Sequence, residues 1–140
     1  MISFYQICKR AAHKVTFVAG YVQAGIPSAV EDSLEGLVDL NAELVNNVEA
    51  TFYVRVEGEA MKDEGIYSGD VLVIDRSIIP KEGDVVVCCI DGEFMVDRLC
   101  SKEGVLQPLM KKRGSVGREM PEKDGFMIWG VVTYAIHKQL

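Results

Sequence analysis

Acyl transfer by a protein side chain needs a hydroxyl or thiol with a base within hydrogen-bond reach. The side chains here that could supply such a pair are few. There are two histidines, His13 and His137, and four cysteines, Cys8, Cys88, Cys89 and Cys100. No Asp or Ser stands at a telling spacing from His13, and His137 lies near the C-terminus, so both are expected at the surface. Ser68 precedes Gly69-Asp70 in a turn where a small polar residue is expected, and Ser77 follows a strand end. Cys88 and Cys89 are adjacent in a strand pattern and point to opposite faces, so they form neither a metal clamp nor a disulfide framework. Buried or half-buried thiols acting as small apolar side chains are the expectation. No metal site and no cofactor is expected.

The elements that would position any site are mostly strands. Thr51 to Val56, Gly69 to Asp75, Gly83 to Ile90, Phe94 to Leu99, Val105 to Leu109 and Phe126 to Ile136 are rich in β-branched and aromatic residues. Gly69-Asp70-Val71 and Gly83-Asp84-Val85 repeat one layout and read as two similar turns feeding strands. Asp91-Gly92 is a hairpin signal, because Asp and Gly tolerate the positive φ angles of a type I′ turn. One short helix is expected after Asp39 or Asn41 as N-cap, with Leu40 and Leu44 on one face and Asn46-Asn47 at its end. Residues 1 to 30 show no sustained period and carry Gly20, Gly25 and Pro27. They read as an extended N-terminal arm whose apolar residues lie across this protomer or a partner, with the body spanning residues 31 to 140. Lys111 to Asp124 reads as an exposed polar loop. The expected fold is mostly β: twisted, curled antiparallel sheets with one short helix and the arm.

Composition narrows the function. With 140 residues the chain builds one core. A formal net charge of −6 argues against non-specific DNA binding by the whole surface, since phosphate contacts need clustered Lys and Arg. No direct sequence-specific DNA binding is expected. Lys111-Lys112-Arg113, Arg118 and Lys123 could touch phosphates, but no aromatic residues interleave to stack bases, and a solvated loop is the plainer reading. Trp129 and Tyr134 read as core or interface residues. No apolar run approaches the roughly 20 residues of a bilayer span, and the first residues lack a signal-peptide pattern, so a cytoplasmic protein is expected.

Two segments carry a family resemblance: Val56-Glu57-Gly58-Glu59-Ala60-Met61 and Gly92-Glu93-Phe94-Met95-Val96-Asp97-Arg98-Leu99. They resemble the active-site segments of the LexA/UmuD self-cleaving serine–lysine proteases, which read (S/E)-G-(D/E)-S-M and V-K-(R/K)-L. Ala24-Gly25 before Ile26-Pro27-Ser28 is similar to the family's cleavage site, and Val38-Asp39-Leu40-Asn41 to the helix start after it. Gly65 to Asp75 and Gly130-Val131-Val132-Thr133 extend the resemblance over nearly the whole chain. The absence of an N-terminal helix-turn-helix points to the UmuD type. The resemblance implies a two-fold homodimer in the DNA-damage (SOS) response. RecA–single-stranded-DNA filaments would promote removal of the arm, and a Y-family DNA polymerase catalytic subunit would be the partner in translesion synthesis.

The same resemblance puts Ala60 at the nucleophile position, where the family has Ser, and Asp97 at the general-base position, where it has Lys. A lysine base works only if burial lowers its pKa toward neutrality. Ala60 cannot form an acyl-enzyme. An ionised Asp97 would be costly in an apolar cleft and could hold its proton, unless it is simply a solvent-exposed strand residue. Arg98 should point to the opposite face and cannot replace the lysine. The chain as written is therefore expected not to cut itself. Three readings stay open: a regulator or trans substrate of an active paralogue, with which it would form a heterodimer; a purely binding dimer that sequesters a polymerase; and an active self-protease inactivated by substitution at both positions.

Overall fold

A computed structural model describes residues 2–6, 14–18, 34–109 and 126–140. The chain divides into two compact units, Met1–Ile7 with Asn47–Leu140, and Cys8–Asn46. The arm expected over residues 1–30 contributes to both. In the larger unit β1 (Ile2–Gln6) joins the sheet, and in the smaller one β2 (Lys14–Val18) pairs antiparallel with β3 (Leu34–Asp39). These three strands lie where the sequence pattern marks none. Helix α1 (Leu40–Leu44) follows β3, capped by Asp39, whose Oδ1 accepts the Asn41 N–H at 3.0 Å. It ends at Val45, before the Asn46-Asn47 pair expected to stop it.

Among the described residues the larger unit forms a seven-stranded, wholly antiparallel sheet. Its remaining strands are β4 (Thr51–Val56), β5 (Val71–Asp75), β6 (Val85–Ile90), β7 (Glu93–Lys102), β8 (Val105–Pro108) and β9 (Phe126–Ile136). Their order is β1-β4-β5-β9-β6-β7-β8. Asp91 and Gly92 both take positive φ, 50° and 81°, as the expected hairpin turn requires, and Ile90 pairs with Glu93 across it. Glu103-Gly104 repeats that geometry between β7 and β8, with φ of 54° and 77°.

The two Gly-Asp-Val turns are the same structure used twice. Asp70 Oδ2 accepts the N–H of Tyr67 at 2.8 Å, and Asp84 Oδ2 that of Lys81 at 3.0 Å. Each turn is then bonded to a neighbouring strand. Gly69 donates to the Val56 carbonyl and Val56 to that of Asp70; Gly83 donates to Leu99 and Leu99 to Asp84.

Side chains alternate across a sheet, and the buried ones sort into two clusters. One contains Val54, Val56, Met61, Ile66, Leu72, Ile74, Val87 and Val96. The other contains Val86, Cys88, Ile90, Leu99 and Val131. Cys88 is buried, and Cys89 and Cys100 are half-buried. Trp129 lies against the first cluster, stacked edge-on to Phe52 at 5.1 Å, with the Arg76 guanidinium 4.4 Å from its ring centre.

Candidate functional site

The segment from Glu57 to Asp70 joins β4 to β5 and carries position 60. Its base is closed by the paired bonds of Val56 with Gly69 and Asp70, at 2.7 and 3.0 Å. Gly58 turns the chain out of β4 with a φ of 105°, a conformation side chains disfavour, and its N–H donates to Ser68 Oγ at 3.1 Å. Ser68 thus has the structural role expected of it. So does Ser77, whose N–H bonds Asp75 Oδ1 at 2.8 Å. One 3₁₀ turn, Lys62–Glu64, ends at Gly65 in the left-handed region. Met61 and Ile66, on either side of that turn, are 4% and 3% exposed within the first cluster. Two apolar anchors hold the segment down while Ala60, one residue before the first, stays exposed.

Position 97 sits in the middle of β7. Asp97 is opposite Val86, and Val96 is opposite Val87, so Val96 and Arg98 share one face of the strand and Asp97 takes the other. Asp97 is 3% exposed, which corrects the reading of it as a solvent-facing strand residue. Its Oδ1 accepts the Arg98 N–H at 2.8 Å. Both residues beside Asp97 engage the segment that follows Ala60. Val96 shares a buried cluster with Met61. Arg98 Nε donates to Glu64 Oε2 at 2.9 Å, its Nη2 lies 2.8 Å from the same oxygen, and its Nη1 donates to the Gly83 carbonyl. Ala60 presents a methyl group and Asp97 a carboxyl group to any chemistry at these positions.

The base of the segment has a second tether that sequence reasoning missed. His137 Nδ1 is 2.6 Å from Asp70 Oδ1, and its ring packs at 4.9 Å against Tyr67. Asp70 is 1% exposed, and the His137 side chain is 41% exposed. His137 lies at the surface, as expected, and its imidazole in addition contacts a buried carboxyl group. No spacing signals a pair separated by 67 positions. The repeated Gly-Asp-Val layout was the only trace that Asp70 had a structural task.

Ala24, Gly25, His13, Cys8 and the basic run from Lys111 to Lys123 lie outside the described residues. Among the described residues no group of three His, Cys, Asp or Glu side chains could hold a metal ion. Among them, too, no helix is long and apolar enough to cross a membrane.

The sequence is similar to those of known proteins. Residues 16–133 match the Peptidase S24-like family. Protein ImpA of Salmonella typhimurium is 38% identical over 122 residues, covering 83% of this chain and 79% of that protein. Protein MucA of Escherichia coli is 36% identical over 124 residues, covering 89% and 85%. Protein SamA of Salmonella typhimurium is 41% identical over 115 residues, covering 82% and 79%. The match spans the exposed turn at position 60, the strand at position 97 and most of the closing strand β9, and on that ground the chain belongs to the Peptidase S24-like family, the LexA/UmuD family, as a UmuD-like member.

Proposed function

We propose that this chain is a UmuD-like protein of the SOS response, an accessory subunit or regulator of an error-prone translesion DNA polymerase, in which the self-cleavage centre has been lost. The observation that carries the reading is the pair of departures Ala60 and Asp97 on an otherwise retained scaffold. A methyl group cannot attack a peptide carbonyl, and a buried carboxyl group cannot supply the neutral amine of the serine–lysine mechanism. The similarity to ImpA, MucA and SamA over most of the chain supports the placement among UmuD-like proteins. On this reading the protein is a cytoplasmic homodimer that meets RecA–single-stranded-DNA filaments and a Y-family polymerase, with its arm retained.

Incubation with RecA filaments, followed on gels, tests it. The chain as written stays full length, whereas Ala60→Ser combined with Asp97→Lys yields two fragments, faster at alkaline pH where more lysine is neutral. Cutting of the unaltered chain in isolation would sink the proposal.

Retention of Ala24-Gly25 favours a second reading, that the arm is a substrate for an active paralogue in a heterodimer. Mixing the two proteins with RecA filaments distinguishes this from a purely binding dimer, in which the full-length band persists while a polymerase co-purifies.

A further inference from the structure

The outermost strand of the large sheet, β1, comes from the far end of the chain and touches the sheet through one neighbour. It pairs with β4 in the register Ile2–Val56, Ser3–Arg55, Phe4–Val54, Tyr5–Tyr53 and Gln6–Phe52. Without β1, β4 would be an edge. The opposite edge differs in kind: β8 is four residues long and ends in Pro108, two devices that blunt an edge against further pairing. β4 has six residues, no proline and no glycine, and Val54 and Val56 at 0% and 6% exposure belong to the core.

The main-chain groups at stake can be named. The N–H and C=O of Val56 are taken by Asp70 and Gly69 on the β5 side. In an antiparallel ladder these groups alternate sides, so Val54 also faces β5 and the groups of Tyr53 and Arg55 face β1. Arg55 is exposed, and its guanidinium donates to the Gly69 carbonyl at 3.3 Å, leaving further donors for an incoming group.

We infer that the outer edge of β4 is a strand-acceptor site. The chain's own β1 fills it in cis, and once β1 leaves, the edge takes an extended segment of a partner protein. The segment that fits has apolar residues opposite Val56 and Val54 and a polar or acidic residue opposite Arg55, the pattern that Ile2-Ser3-Phe4 already shows. Backbone bonds to Tyr53 and Arg55 would supply affinity, and the alternating side chains selectivity. The link to arm removal rests on the second reading above, cutting of Ala24-Gly25 by an active paralogue: β1 lies upstream of that bond, so cutting there would release an edge strand as well as a tail.

The test displaces β1 without cleavage, so its failure is distinct from failure of the cleavage reading. In the full chain, Ser3→Pro with Tyr5→Pro removes the N–H groups that bond to β4 while leaving β4 intact. Hydrogen exchange at the Tyr53 and Arg55 amides should quicken at least tenfold in this variant. A fluorescent peptide with the sequence of residues 1–7 should bind it at least tenfold more tightly than the unaltered chain and restore the protection. If the proline variant does not fold, Ile2→Ala with Phe4→Ala, which also spares β4, carries the same measurements. Equal protection in variant and unaltered chain, or equal peptide affinity, overturns the proposal. So does protection in the unaltered chain that vanishes on dilution, since a second copy's β1 would then hold the edge.

Discussion

The Arg98 guanidinium grips the Glu64 carboxylate at 2.8 Å and so ties strand β7 to the turn just beyond position 60. The pair is half-exposed, with side-chain exposures of 36% and 15%, and water screens much of its attraction. Arg98→Ala also removes the bond to the Gly83 carbonyl. The expected loss is about 1 kcal/mol, read as a lower urea midpoint with an unchanged slope.

Asp70→Ala should cost more. The carboxyl group is buried and serves both the Tyr67 N–H and His137, and its removal takes the acceptor from that half-buried amide. A loss of about 1–3 kcal/mol is expected. His137→Ala should cost less, because the imidazole stands at the solvent boundary and the Tyr67 bond survives. Chemical denaturation of both variants orders the two.

Gly130→Ala probes a close approach between strands. A β-carbon built there would sit 2.5 Å from Ile74 Cγ2 and 3.1 Å from Arg76 Cγ, and the isoleucine methyl has little freedom to retreat. About 1–3 kcal/mol of destabilisation is expected from overpacking, with weaker near-ultraviolet signal from Trp129 next to it, measured by thermal unfolding and circular dichroism.

Burial raises the Tyr53 phenol above its ordinary value. The unfolded chain releases that proton first, near pH ~10. Above that pH the native state binds more protons than the unfolded state, so stability falls as pH rises until the folded phenol also ionises. Tyr53→Phe should flatten this alkaline decline, followed by denaturation at successive pH values. A decline of equal slope in the variant would assign it to other groups.

Features governed by a few consecutive residues were legible in the sequence. Asp91-Gly92 folds as the hairpin its φ preferences dictate, the two Gly-Asp-Val turns are alike, and Asp39 caps the helix. The strands from Thr51 onward announce themselves through β-branched and aromatic residues, because their side chains must fill a core. Motif order along the chain likewise carried the family. Tertiary structure alone decided the rest. β1 is a strand because β4, some fifty positions away, accepts its main-chain bonds, which no local pattern encodes. Asp97 is buried, and Arg98 and His137 find Glu64 and Asp70, only after the sheet has brought distant segments together. Local conformational preference is written residue by residue, whereas burial and long-range pairing belong to the packed chain.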